Sequence, residues 1–238
     1  ILGTSYEAVE QTEDRELFRK LLLTLEINQP KNDIASSIQD LKDTVQKLRY
    51  PCILRPSFVI GGAGMKVIRN EFELNSYLAG VKFDDISPIL VEEFLENATE
   101  VEVDAICDGE SVTICGIMEH IDPTGIHSGD SVSYLFPVTI SDRVQRELES
   151  ATRMIGLELG LKGCFNIQFA ICDENFYVIE VNARASRTVP LLAKVTGYSI
   201  VQIATYCLLG KTLKELGIPE KLTPKFLGLK IPVFPFKR

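Results

Sequence analysis

The chain has 238 residues, 45% hydrophobic and 24% charged, with a formal net charge of −8. That length supports one large domain or two small ones with a full core, at an ordinary globular composition. The acidic balance, with no Lys/Arg-rich patch, argues against nucleic acid or an anionic membrane as the main partner.

Ile1 to Ser5 reads as the end of a strand entering a turn, as in a piece of a longer polypeptide, and no signal-peptide pattern opens the sequence. Thr12 to Leu25 follows as a helix with Leu17, Leu21 and Leu25 on one face and Glu13 and Asp14 near its positive end. Arg15 in its first turn is electrostatically misplaced; it is either a solvated side chain or an arm reaching a bound anion. Ser36 to Arg49 is a second helix, ended by Pro51. Cys52 to Ile68 then reads as two short strands around Gly61-Gly62-Ala63-Gly64. Glycines let backbone N–H groups approach an anion, but a structural turn fits as well, and the run lacks the G-K-[ST] of a phosphate loop. Arg55, at a strand end before the loop, favours an anion site.

Asn70 to Val81 is a helix with the capping-box pair Asn70 and Glu73. Ile89 to Leu95 is a strand leading from a first lobe (residues 1–90) to a second (91–210), with 211–238 as a tail. Such a linking strand can offer backbone groups to a purine edge. Glu100 to Cys107 alternates strictly, so Glu100, Glu102 and Asp104 share one face. Like charges so placed are ordinarily solvated, although one at an edge could accept ribose hydroxyls. After the Asp108-Gly109 turn comes a strand, Val112 to Met118, and then the glycine-bracketed loop Gly125-Ile126-His127-Ser128-Gly129-Asp130. His127 there matches no metal spacing. Ser141 to Gly160 is a helix, as are Thr188 to Thr196 and Ser199 to Leu209, with Gly197 between the last two. Thr212 to Glu215 is a capping box, and an edge strand is expected near Phe226 to Val233. The longest uncharged run, Val195 to Gly210, is too short and polar to span a bilayer. The six cysteines form no C-x-x-C and read as small core residues of a reducing, cytoplasmic protein.

The richest chemistry lies between residues 165 and 187. Phe165 to Ile171 alternates, Asp173-Glu174-Asn175 interrupts, and Phe176 to Val181 resumes, a hairpin pattern. With those three residues as the loop, Cys172 pairs with Phe176, Gln168 stands opposite Glu180, and Asn166 opposite Asn182. Phe165, Ile167, Phe169, Ile179 and Val181 then need a buried opposite face. Oxygen donors so grouped suit a hard cation such as Mg²⁺, and Arg184 and Arg187 follow, as phosphate oxygens require. A surface hairpin whose polar face meets water is the alternative.

The Arg55 strand and glycine loop, the G-I-H-S-G-D loop, and Gln168 with Glu180-x-Asn182-x-Arg184-x-x-Arg187 together resemble the ATP-grasp family. More narrowly they resemble the ATP-grasp units of carbamoyl-phosphate synthetase large chains. Met118-Glu119-His120 and Arg187-Thr188-Val189-Pro190 look more like the second unit than the first. The resemblance implies an α+β ATP-grasp fold of two lobes enclosing an ATP cleft. It implies Arg15 and Arg55 on the phosphate side, Glu93 and Leu95 at the adenine, and Glu100 at the ribose. It further implies Gly125, Ile126, His127 and Ser128 along the nucleotide, Gln168, Glu180 and Asn182 as ligands of Mg²⁺ or Mn²⁺, and Arg184 and Arg187 around the transferred phosphoryl group. Ala183 stands where bacterial relatives commonly have proline, and Ala63 where some relatives carry arginine.

The activity implied is phosphorylation of carbamate by ATP, in arginine or pyrimidine synthesis, beside further domains of a large chain and a glutamine-amidotransferase subunit. A different ATP-grasp carboxylate–amine ligase, or a nucleotide-binding module without turnover, would use the same residues.

Overall fold

The structure is a computed structural model that describes residues 2–56, 65–126 and 128–233, Asp84 by its backbone alone. The glycine run 61–64 and His127 lie outside the described residues, and so do the expectations placed on them.

The chain opens with α1 (Tyr6–Glu13) and α2 (Arg15–Thr24) in place of the one helix expected from Thr12. The Ser5 hydroxyl accepts from the Ala8 N–H at 3.1 Å and starts α1. The Asp14 carboxylate accepts from the Glu16 N–H at 2.9 Å. A short acid that captures a backbone donor begins a new helix rather than continuing the old one. Phe18 and Leu22 line the buried face, with Leu21 and Leu25 at its margin, while Leu17 is exposed.

Two units follow from the packing, and their limits differ from the expected 90/91 and 210/211 boundaries. One comprises residues 14–16 and 29–96; the other comprises 2–13, 17–28 and 97–233. The smaller unit holds β1 (Asn32–Ala35), α3 (Ile38–Leu48), β2 (Cys52–Pro56), β3 (Lys66–Ile68), α4 (Glu71–Gly80), α5 (Phe83–Ile86) and β4 (Ile89–Glu93). Its four strands form an antiparallel sheet in the order β1-β4-β2-β3. Leu41, Val45, Cys52, Leu54, Ile68 and Val91 fill the core. Asn70 caps α4 as expected, its side chain accepting from the Glu73 N–H at 2.9 Å, while the Glu73 carboxylate reaches one residue past the cap to accept from the Arg69 N–H at 2.9 Å.

The larger unit is built on a six-stranded antiparallel sheet. Its strands are β5 (Thr99–Cys107), β6 (Val112–His120), β7 (Ser133–Tyr134), β8 (Gly163–Cys172), β9 (Asn175–Asn182) and β10 (Leu229–Lys230), in the order β10-β7-β6-β5-β8-β9. The expected edge strand near the C-terminus is therefore β10. Helix α6 (Asp142–Glu158), capped by Ser141, packs with α1 and α2 on one face against Val101, Val103, Ile117, Phe165, Ile167 and Phe169. Helices α7 (Val189–Thr196) and α8 (Ile200–Leu208) cover part of the other face, against Ile106, Cys115 and Met118. Gly116 lets α7 come close, since a Cβ there would lie 2.5 Å from Leu192 Cδ2. Gly197, at φ 79°, ends α7 in the left-handed conformation that glycine adopts without strain. All six cysteines are free thiols, four of them buried. Among the described residues no single helix is long and apolar enough to cross a membrane.

The β8–β9 hairpin departs from the expected loop in an instructive way. Its turn has two residues, Asp173 and Glu174, at φ 49° and 62°, and Asn175 pairs with Cys172. Positive φ at both central residues matches the right-handed twist of the flanking strands. A bulge then inserts one residue into β9: Phe169 pairs with Val178, whereas Gln168 pairs with Glu180. The shorter turn and the extra residue cancel, so Gln168 faces Glu180 and Asn166 faces Asn182 as expected. Val178, not Ile179, enters the core.

Candidate active site

Beyond the cover of α7 and α8, that sheet face turns polar. Glu102 on β5 pairs with Gln168 and Asp104 with Asn166, which extends the Gln168–Glu180 and Asn166–Asn182 rows into one oxygen-rich surface three strands wide. The expectation of a solvated acidic strand does not hold here. Glu102 is 4% exposed and Asp104 1%. Each buried carboxylate survives because specific donors reach it.

His120 supplies the first of them. Its Nε2 lies 3.2 Å from Glu102 Oε1 and its Nδ1 3.5 Å from Glu100 Oε2. Burial alone would lower the imidazole, but hydrogen bonds and charge from Glu100 and Glu102 outweigh it and raise its pKa to about 9. The ring is an imidazolium at neutral pH. Burial acts to raise Glu102, yet hydrogen bonds from His120, Ser128 and Asn166 and the His120 charge hold it below the usual carboxylate value. The Asn166 amide spends one N–H on Glu102 Oε2 and the other on Asp104 Oδ1, both at 3.2 Å. Burial lifts Asp104 to about 6, against hydrogen bonds from Thr188 and Ser186.

Residues 125–126 and 128–131 lie beside the acids. The Gly125 N–H donates to Glu100 Oε1 at 2.8 Å, and Lys230 Nζ donates to the carbonyls of Ser128 and Ser131. Ile126 is exposed on this loop. Burial lowers the Lys230 ammonium, Arg187 adds to that, and Glu102 and Asp130 work against it. Gly125 is thus joined to Glu100, and Ser128 to Glu102 and Lys230.

Glu180 and Asn182 are half-buried on the edge strand β9. Asn182 Nδ2 donates to Glu180 Oε1 at 3.0 Å, and Arg184 Nη2 donates to Asn182 Oδ1 at 3.0 Å. Arg187 is exposed. The Glu180 carboxylate, with the Gln168 carboxamide opposite and that of Asn182 two residues along the same strand, is a hard-oxygen set that fits Mg²⁺. A single carboxylate suits a cation that takes its remaining ligands from phosphate and water. Among the described residues no three His, Cys, Asp or Glu side chains gather into an all-protein cage.

In the smaller unit Arg55 forms an ion pair with Glu92 on the neighbouring strand, both side chains nearly buried. Glu93 lies 3.8 Å from Lys31 Nζ, and its N–H donates to the Lys31 carbonyl at 2.8 Å. Leu95 is half-buried just beyond β4, and Arg15 is half-buried at the start of α2.

The residues missed from sequence are His120 and Lys230. A regular ladder counted back from the Cys107–Val112 pair would set Glu119 opposite Glu100 and turn His120 to the other face. A bulge at Cys115 moves the register by one and aims His120 at the acids. Lys230 arrives from the far edge strand, with no local signal at all.

The family described as "Carbamoyl-phosphate synthase L chain, ATP binding domain" matches residues 14–216. The chain is 46% identical over 237 residues to the carbamoyl phosphate synthase large chain of Archaeoglobus fulgidus. It is 44% identical over 237 residues to that of Pasteurella multocida. Each alignment covers 99% of this chain and 22% of the relative, so the chain spans about a fifth of the length of these proteins. Among solved structures, a Campylobacter jejuni biotin carboxylase complex superposes at TM-score 0.79 and 18% identity, over 89% of this chain and 49% of that one. The biotin carboxylase domain of Hydrogenobacter thermophilus 2-oxoglutarate carboxylase superposes at 0.75 and 23% identity, over 90% and 49%. The fold is α+β, of the ATP-grasp type. Its sequence adds the narrower conclusion: this chain belongs to the carbamoyl-phosphate synthase L chain ATP-binding domain family.

Proposed function

We propose that this domain uses ATP to phosphorylate carbamate, giving carbamoyl phosphate and ADP, as the second of two such units in a carbamoyl-phosphate synthase large chain. One observation carries the reading: Gln168 opposite Glu180 and Asn166 opposite Asn182, on a face followed directly by Arg184 and Arg187. Phosphoryl transfer asks mainly for positioning and for stabilisation of charge on the moving group. Glu180, Asn182 and Gln168 would hold Mg²⁺ or Mn²⁺, which when bound neutralises charge on the phosphate oxygens. Arg55, Arg184 and Arg187 bear charge on the transferred group, with Arg15 also on the phosphate side. Glu100 takes the ribose hydroxyls, the loop with Gly125, Ile126, His127 and Ser128 lines the nucleotide, and Glu93 and Leu95 border the adenine. A carbamate oxygen attacks the γ-phosphorus as the bond to ADP breaks, with no covalent enzyme intermediate.

The Hydrogenobacter domain, described in complex with MgADP and bicarbonate, is a precedent in the same fold for binding both a nucleotide and a small carboxylate-like anion. The same reading implies a cytoplasmic protein of arginine or pyrimidine synthesis that works with other domains of a large chain and a glutamine-amidotransferase subunit. ADP release with carbamate as acceptor tests it. Release that depends on carbamate supports the assignment. Release that instead requires an amino acid points to a carboxylate–amine ligase, and tight Mg²⁺-dependent ATP binding with no release points to a binding module.

A further inference from the structure

Asp104 has no place in the chemistry just described. It is 1% exposed, and it is the deepest charge on the polar face. Its Oδ2 accepts from the Ser186 hydroxyl at 2.8 Å and from the Thr188 hydroxyl at 2.5 Å, and its Oδ1 accepts from Asn166 at 3.2 Å. The Thr188 N–H also donates to the Ser186 hydroxyl oxygen at 3.2 Å, which closes a small ring around the intervening residue. That residue is Arg187. A buried carboxylate is retained only when its hydrogen bonds are made, and here two of its three donors come from the residues that flank one arginine. The Thr188 carbonyl in turn accepts from the Leu191 and Leu192 N–H groups, so the same point fixes the start of α7.

From this arrangement we infer that Asp104 is the positioning residue for Arg187, tying the backbone on both sides of that arginine to the floor of the sheet. The inference rests on the proposed phosphoryl-transfer reading, in which Arg187 meets the transferred group. The Arg187 side chain is exposed, so its placement depends on where its backbone is held. Misplacement of a charge-bearing group by about an ångström can cost roughly a hundredfold in rate.

The test is steady-state kinetics of carbamate-dependent ADP release in the full-length protein, with Asp104→Ala, Asp104→Asn, Arg187→Ala and Asp104→Ala combined with Arg187→Ala. Asp104→Ala is expected to lower kcat roughly 10- to 100-fold, with KM for ATP within about twofold of wild type. Asp104→Asn keeps an oxygen for the two hydroxyls and is expected to restore most of that loss. The combined variant is expected to be no slower than Arg187→Ala alone, because the two residues act as one unit. Multiplying losses in the combined variant, or an Asp104→Ala protein with unchanged kcat, would overturn the inference. If Asp104→Ala does not fold, Ser186→Ala with Thr188→Val removes the same bonds from the loop side, and the same expectations apply to it. Wild-type protein that shows no carbamate-dependent release fails the functional reading itself, whereas active wild type with multiplying losses fails only the role of Asp104.

Discussion

Glu180 sits half-buried on an edge strand, hydrogen-bonded by the Asn182 amide, and it belongs to no core cluster. Glu180→Gln should therefore abolish Mg²⁺-dependent turnover while leaving the thermal unfolding midpoint nearly unchanged. A large fall in the midpoint with metal dependence intact would mark Glu180 as structural. His120 is the opposite case, a charge whose partners are part of the fold. Its folded pKa of about 9 lies above the ordinary 6.5, so the stability it contributes is complete below 6.5 and is lost as pH rises through 9. Asp104, raised to about 6 from 3.8, acts in the same direction between those values. Glu102, held low, loses its contribution only as pH falls through its folded value. Urea unfolding of wild type and His120→Gln at about pH 6 and about pH 9.5 should show the wild-type advantage shrinking by on the order of 3 kcal/mol at the higher pH. An advantage that does not change with pH would contradict the buried imidazolium.

Helix α7 lies so close to β6 that only a residue without a side chain fits at Gly116. Gly116→Val should cost about 1–3 kcal/mol in urea unfolding, because fully buried Leu192 has nowhere to move. An unchanged midpoint would contradict a contact that tight. The elements show what the sequence makes legible and what it hides. Alternation in β5 and β8 and the capping pairs at Asn70–Glu73 and Thr212–Glu215 are local, and the structure contains them. Bulges are another matter. In the run Phe176-Tyr177-Val178-Ile179 every residue is apolar or aromatic, so parity is invisible and the extra residue leaves no mark. The hairpin register was correct at Glu180 because a turn one residue shorter offset that bulge. On β6 nothing offset the bulge at Cys115, and His120 stayed hidden. The break between α1 and α2 was legible in principle, since Asp14 is a strong N-cap residue.

At the scale of the whole molecule, the burial of Glu102 and Asp104 could not be read locally. It depends on His120 from a neighbouring strand, on Asn166 from another, and on a loop pinned by Lys230 from β10. Contacts of that separation carry no periodic signature in sequence. The division into units shares this character: α1 and most of α2 pack with residues far along the chain, against the expectation that the first ninety residues form one body. The account turns on a metal-held triphosphate seated on the polar face of β8 and β9. A crystal structure of the protein with a non-hydrolysable ATP analogue and Mn²⁺, read by the anomalous signal of manganese, tests that most directly. The account predicts a manganese peak bonded to the Glu180 carboxylate, with the Asn182 and Gln168 oxygens turned toward it and Arg184 and Arg187 at the phosphates; manganese bound away from this face, with the analogue in place, would contradict it.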